Sequence, residues 1–249
     1  MPPIPNPLDP ILQIAANSEI SHYGWHDNDP APHGYIKGLA LCFGRAYCKL
    51  KAEDPVAVEM AKAVVHANGD TMWEYRAEFQ HAGMDNSVAG VNTLRHLFVL
   101  MMGLGIRESS GLYCRGRDTG AHNFTGEKAE AGLFQTSWNA RTAHQLLPGI
   151  FEWYRQHPNT GWREIFSEGA HCNADDATNW GDEPGKSYQA LSKSCPAFHV
   201  EFTGVALRNA NGHWGPINNH TPQVVPAADR MFKQVQDAVD ASDLCPALV

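Results

Sequence analysis

The sequence predicts a mainly α (α+β) fold, a set of helices carrying a small irregular or β lobe. Three observations lead there. Apolar residues recur at helical spacing through most of the chain, the stretch from Val91 to Met102 is apolar on nearly every side, and residues 111–131 lose that periodicity altogether. The 249 residues, 43% hydrophobic and 18% charged, are enough to bury a core without a metal or disulfide staple.

Taken in order, the first 34 residues are rich in Pro, Asn, Asp and His and read as an irregular arm, with 35–249 as a single domain. From Ile36 the apolar positions Leu39, Ala40, Phe43, Ala46, Tyr47 and Leu50 mark a helix. A second opens at Asp54-Pro55, with Asp as cap and Pro in the first turn, and runs to Asn68-Gly69. Asn86 or Ser87 caps the third, which is the apolar one. It ends at Gly103-Leu104-Gly105 or runs through to Glu108. Gly, Asp, Thr, Asn and Arg then dominate residues 111–131, where short strands or an irregular lobe are expected. Helical patterns return at 138–156, Asn159–Ser194 reads as loops, and two last helices lie near Pro196–Asn209 and Pro226–Val239. No internal repeat or low-complexity linker divides the chain.

Charge and cysteine usage narrow the function classes. Nineteen Lys and Arg against 27 Asp and Glu leave a net charge of −8. The basic residues are scattered, with no cluster beyond Arg115 and Arg117, which argues against nucleic acid. No apolar run approaches the roughly 20 residues of a bilayer span, so a soluble protein without a membrane partner is expected. The six cysteines form no Cys-x-x-Cys pair, and structural zinc is not expected. Cys42 and Cys48 fall on different faces of one helix and should not pair with each other. At least two bridges are expected in the oxidised protein, with Cys245 tethering the C-terminus. The N-terminus shows no basic or apolar signal region, so a secreted or periplasmic life implies a signal removed from this chain or another route; the remaining option is the cytosol.

The chemistry concentrates in Gly105-Ile-Arg-Glu108-Ser109-Ser110-Gly111 and, downstream, Glu130-Ala-Gly132-Leu133-Phe134-Gln135-Thr136-Ser137. An acid emerging from an apolar helix is partly desolvated, which raises its pKa and leaves it able to protonate a glycosidic oxygen. Asp118, Glu127 and Glu130 lie in the polar lobe, where a carboxylate stays ionised. Two carboxyls in contrasting environments are what glycoside hydrolysis requires.

Each feature also has a plainer meaning. Glu108 alone would be a helix-terminal surface acid beside Arg107, Glu130 a cap of the next turn, and Asp118 an Asp-Thr turn paired with an arginine. Glu127 precedes Lys128 as on a solvated face. Gln135 and Ser137 would bind sugar hydroxyls or N-acetyl groups, or Gln135 would hold the lobe's backbone. His22, His26 and His33, with Asp27 and Asp29, match no ligand spacing, so neither metal nor cofactor is expected. Ser109 and Ser110 lack the nucleophile elbow of a hydrolase triad. His213-Trp214-Gly215-Pro216, Trp162 and Trp180 are sugar-stacking walls or core.

Glu108-Ser109 followed by Gly132-Leu133-Phe134-Gln135 resembles the lysozyme superfamily, in particular goose-type lysozymes and soluble lytic transglycosylases. There a helix ends in Glu-Ser and a Gly-Leu-Met-Gln type motif follows; Phe134 replaces the usual Met. Ala206-Leu-Arg-Asn209-Ala-Asn-Gly212 is similar to the transglycosylase Tyr-Asn-Ala-Gly, with Arg208 at the Tyr position. The resemblance covers residues 90–215. It implies a lysozyme-like helical fold, Glu108 as general acid, and Ser109, Gln135 and Asn209 along the substrate, where the chemistry of Ser137 and Trp214 would also place those two side chains. The chain departs from the goose-type pattern in a longer gap between Glu108 and Gly132, and in Ser137, which stands where those enzymes place a carboxylate. Glu108 and Glu130, 22 residues apart, are spaced similarly to the two glutamates of plant-type chitinases. The second carboxylate thus stays open between Glu130 and Asp118, with Glu127 third. The resemblance implies a monomeric glycoside hydrolase of a β-1,4-linked amino-sugar polymer. Peptidoglycan is the first substrate and chitin or chitosan the second; lytic transglycosylation and a silent sugar-binding or effector protein are the alternatives.

Overall fold

The computed structural model of the chain describes residues 6–26, 30–66, 69–120, 122–209 and 215–249. It is mainly helical, as expected. The N-terminal segment departs from the expected arm. Helix α1 (Asp9–Asn17) starts with Pro10 in its first turn, buries Ile11 and Ala15, and is followed by a 3-10 turn at Glu19–His22. Its apolar stripe is too short to stand out among the surrounding prolines and polar residues.

Helix α2 (His33–Lys51) follows the predicted spacing and is buried along most of its length. Helix α3 (Pro55–Met60) begins as predicted, with the Asp54 carboxylate accepting from Val56 N at 2.9 Å and Ala57 N at 3.2 Å. It stops at Met60, well short of the expected end. The buried Arg208 guanidinium takes the Met60 carbonyl at 2.7 Å, and Val64 N, which would have continued the helix, donates to Asn86 O at 2.8 Å. Asn68 lies outside the described residues. Short helices α4 (Thr71–Glu74) and α5 (Arg76–His81) complete the connection.

Helix α6 (Val91–Ser109) starts after Gly90, because Asn86 is engaged elsewhere, with its side chain 2.7 Å from His96 Nδ1. It runs through the two glycines that looked like a stop. A Cβ at Gly103 would stand 2.3 Å from the Gln223 carbonyl oxygen, and one at Gly105 2.2 Å from the Tyr35 hydroxyl. That hydroxyl donates to the carbonyls of Met101 and Met102, both at 2.9 Å. The glycines therefore serve close packing, which offsets their roughly 1 kcal/mol helical penalty each.

Residues 111–137 are the irregular alternative rather than the β one: among the described residues the strand pairing amounts to an isolated bridge between Ala131 and Thr136. Beyond a 3-10 turn at Trp138–Ala143 come α7 (Leu147–Gln156), α8 (Arg163–Phe166) and α9 (Gly185–Ser194). Helix α9 corrects the loop expected up to Ser194; it buries Tyr188, Gln189, Leu191 and Ser192, a face half of which is polar and so carries a weak sequence signal. The chain ends in α10 (Pro196–Leu207), α11 (Gly215–Asn218), α12 (Pro226–Ala241) and α13 (Cys245–Leu248).

The centre of the molecule is α2, which packs on α1, α6, α8, α10, α12 and α13. Phe43, Phe98 and Phe232 join α2, α6 and α12 through tilted and edge-to-face contacts. Two disulfides, Cys48–Cys245 and Cys114–Cys172, pin the C-terminal helix and the lobe, while Cys42 and Cys195 are buried thiols. Among the described residues no helix is long and apolar enough to cross a membrane.

Candidate functional site

The site is built where α6 stops. Ser110 takes a left-handed conformation (φ 55°), and Gly111 N donates back to the Gly105 carbonyl at 3.0 Å. The buried Ser109 hydroxyl bonds the Gly105 carbonyl at 3.0 Å and the Leu133 carbonyl at 2.8 Å. The end of the helix is thereby sewn to the Ala131–Thr136 turn, and Glu130, which leads into that turn, is brought to Glu108.

Glu108 is half-buried at this junction. Burial pushes its carboxyl up to about 8, the negative charge of Glu130 adds to the rise, and Arg107 opposes it. Arg107 reaches instead to the His26 carbonyl at 3.5 Å, and Arg115 lies beside Asp176 at 4.0 Å. Glu130 is raised too, first by burial and then by Asp118, against the pull of Arg117. Asn123 donates to Glu130 at 3.3 Å. Asp118 is exposed; it accepts from Gly120 N at 2.8 Å in a local turn, and Arg117 donates to its backbone carbonyl at 2.7 Å. The three carboxyls form a succession in which Asp118 acts on Glu130 and Glu130 on Glu108.

Other expected site residues sit elsewhere or are otherwise engaged. Glu127 is exposed and paired with Arg141, the solvated face its neighbour Lys128 suggested. Ser109 is a structural staple rather than a sugar ligand, because its hydroxyl is buried and already bonded. Gln135, at φ 45°, folds its amide back to the Gly132 carbonyl at 3.1 Å and so holds the lobe's backbone. The Ser137 hydroxyl donates to Asn139 at 2.7 Å.

Asn209 does not share a wall with Glu108. Helices α6 and α10 run antiparallel, with Met101 opposite Gly204 and the Gly132 turn against His199. At ~1.5 Å per residue Asn209 then lies roughly 18 Å along the axes from Glu108. There it bonds Glu59 at 2.8 Å and receives Lys62 at 2.9 Å. Its neighbour Arg208 is fully buried against Asp70, at 3.0 and 2.8 Å, and closes the fold at a point remote from the acid. Trp214, with Asp27 and Asp29, lies outside the described residues. Trp162 covers the Arg45 guanidinium at 3.7 Å. Among the described residues no group of three or more His, Cys, Asp or Glu is placed to hold a metal.

Sequence reasoning passed over the support beneath the turn. Thr136 bonds both the Tyr188 hydroxyl and His199 Nε2, the latter at 2.5 Å. His199 is wholly buried, and burial alone pushes its imidazole down to about 3, so it stands neutral beneath the Glu130 turn. No spacing rule links Thr136, Tyr188 and His199, which meet only when α9 and α10 fold under the lobe. No family profile, curated protein or solved structure matches this chain.

Proposed function

We propose that the chain is a lysozyme-like glycoside hydrolase of a β-1,4-linked amino-sugar polymer, with Glu108 as general acid. The observation that carries this reading is a carboxyl pushed up to about 8 by burial and by a second carboxyl beside it. Such a group holds its proton at neutral pH and can deliver it to the glycosidic oxygen as the bond breaks.

Glu130 is the preferred second carboxylate. It is the charge that acts on Glu108, and the Ser109-to-Leu133 staple fixes its backbone, whereas Asp118 is exposed and one neighbour further off. Inversion would have Glu130 orient the attacking water, with the carboxyls about 6.5–9.5 Å apart; retention would need about 5–5.5 Å. The raised proton affinity of Glu130 favours a second reading, lytic transglycosylation. In it Glu108 serves as acid and then base, and the muramoyl 6-hydroxyl attacks internally. Peptidoglycan is the first substrate and chitin or chitosan the second. A monomer working outside the cytoplasm, secreted or periplasmic, agrees with two disulfides, which persist in oxidising compartments.

The test is clearance of a cell-wall suspension and of chitosan by wild type and Glu108→Gln, with products read by mass spectrometry. Reducing-end sugars mark hydrolysis and anhydro-sugars mark transglycosylation. Equal rates for the two proteins would remove the acid assignment. Binding without turnover by wild type would leave the sugar-binding or effector alternative.

A further inference from the structure

We infer that Phe124 and Trp180, backed by Arg117, form a platform that seats one gluco-configured pyranose ring of the polymer beside the carboxyls. The inference rests on the polysaccharide reading above and deepens it: the ring is a neutral N-acetylglucosamine or a cationic glucosamine, not an acidic sugar.

Phe124 is 50% exposed and Trp180 36%, large apolar surfaces to leave in water. They meet edge to face at 5.8 Å. The buried Arg117 guanidinium lies over both, 4.2 Å from the Phe124 ring and 4.9 Å from the Trp180 ring, so one face of each is covered by the cation. Nor are the rings loosely hung. Buried Gln189 of α9 donates to the Trp180 carbonyl at 2.9 Å and accepts from its N–H at 2.8 Å, clamping both backbone groups of that residue. The Phe124 loop is held against the same segment by direct backbone packing. A Cβ at Gly181 would stand 2.0 Å from Gly126 N, and one at Gly185 1.9 Å from Gly126 O. Rigid presentation of exposed aromatics is what a ligand platform needs and what a solvated loop has no use for.

The platform adjoins the carboxyls covalently and through hydrogen bonds. Arg117 donates to the Asp118 carbonyl at 2.7 Å, and Asn123, next to Phe124, donates to Glu130 at 3.3 Å. A polymer lying across Glu108 and Glu130 therefore has this surface within reach. In a β-1,4-linked gluco-configured ring the substituents are equatorial, so both faces present axial C–H groups, the apolar surface that stacks on an aromatic ring. Charge selects among such rings. Asp118, Asp182 and Glu183 are exposed around the platform, whereas the Arg117 guanidinium is buried beneath the rings and bonded to the Asp118 backbone carbonyl, so the open side of the platform favours a neutral or cationic ring over an anionic one.

Calorimetric titration in a Glu108→Gln background, which slows turnover, tests this with three probes: tetra-N-acetylchitotetraose, fully deacetylated chitotetraose and anionic β-1,4-linked tetraglucuronate, a uronate of the same linkage and ring configuration. The two glucosamine-based sugars should bind and the uronate should not. Adding Phe124→Ala or Trp180→Ala should raise Kd by about tenfold or more, with Trp180→Phe recovering part of the loss. Phe124→Ala, at a half-exposed position, keeps the test open if Trp180→Ala does not fold. Unchanged Kd values in folded variants, absence of binding by either glucosamine sugar, or equal binding of the uronate would overturn the platform. Hydrolysis measured on the Glu108 single variant judges the acid separately: its loss alongside unchanged Kd values sinks the platform and leaves the enzyme reading standing.

Discussion

In the folded chain Glu108 keeps its proton up to about 8, against 4.5 for an ordinary glutamate, so folding takes up a proton between those values. The native state binds more protons than the unfolded one in that window, and stability falls as pH rises through it, the reverse of the usual salt-bridged carboxylate. Glu108→Gln removes the penalty. Its urea midpoint should gain on wild type between about pH 5 and about pH 9, while its rate drops by about 100-fold or more. A constant midpoint difference across that range would contradict the buried acid. Activity should fall on the alkaline side near 8, where Glu108 loses its proton. Because Glu130 supplies part of the rise, any activity left in Glu130→Gln should show that limb moved to lower pH. Asp118→Asn should leave it in place; a limb shifted by Asp118→Asn and not by Glu130→Gln would reverse the order of the two carboxyls.

At the scale of elements, the site depends on the fit between the Ala131–Thr136 turn and the helices under it. Gly132 has a φ of 74°, and a Cβ there would stand 2.5 Å from His199 Nδ1. Gly132→Ala should therefore lose roughly 1–2 kcal/mol to the left-handed backbone and a further 1–3 kcal/mol or so to overpacking. A thermal melt should show Tm lower by roughly 5 °C or more, with Ser137→Ala on the same segment nearly silent. An unchanged melt would mean that the turn is not held against α10. The Gly-Leu-Phe-Gln motif was legible in the sequence, with Gln135 open between a sugar ligand and a hold on the lobe's backbone. Its observed hydrogen bonds make it first a backbone device, with Gln135 bonding the Gly132 carbonyl inside the turn and Ser109 fastening the turn to α6.

For the whole molecule, the Cys48–Cys245 bridge spans 197 residues and fastens α13 to α2, where Arg45 also donates to the Leu248 carbonyl at 2.7 Å. Removing it in a Cys48→Ala, Cys245→Ala double variant should lower stability by about 2–4 kcal/mol. Thiol titration gives an independent check. The folded protein should show no fast-reacting thiol, because Cys42 and Cys195 are buried and burial pushes both up. Unfolding without reductant should release two, and reduction all six. Six thiols without reductant would exclude both bridges and remove the support they give to an oxidising compartment.

The sequence by itself determined the helical class, the starts of α3, α10 and α12 at prolines, and the central apolar helix with an acid at its end. These rest on local periodicity and capping, which a single segment carries within itself. Only the tertiary structure decided where α3 and α6 stop and which polar groups meet. Arg208 ends α3 by taking its last carbonyl, Gly103 and Gly105 continue α6 because Gln223 and Tyr35 fill the space beside them, and α9 forms on a half-polar face because its partners are buried. The same division runs through the site. Glu108 could be named from its helix, but the charge that Glu130 brings to bear on it, the removal of Asn209 to the other end of α10, and the meeting of Arg117, Phe124 and Trp180 join segments far apart in the chain. Hydrogen bonds, burial and charge act through space, and no spacing along the sequence records them.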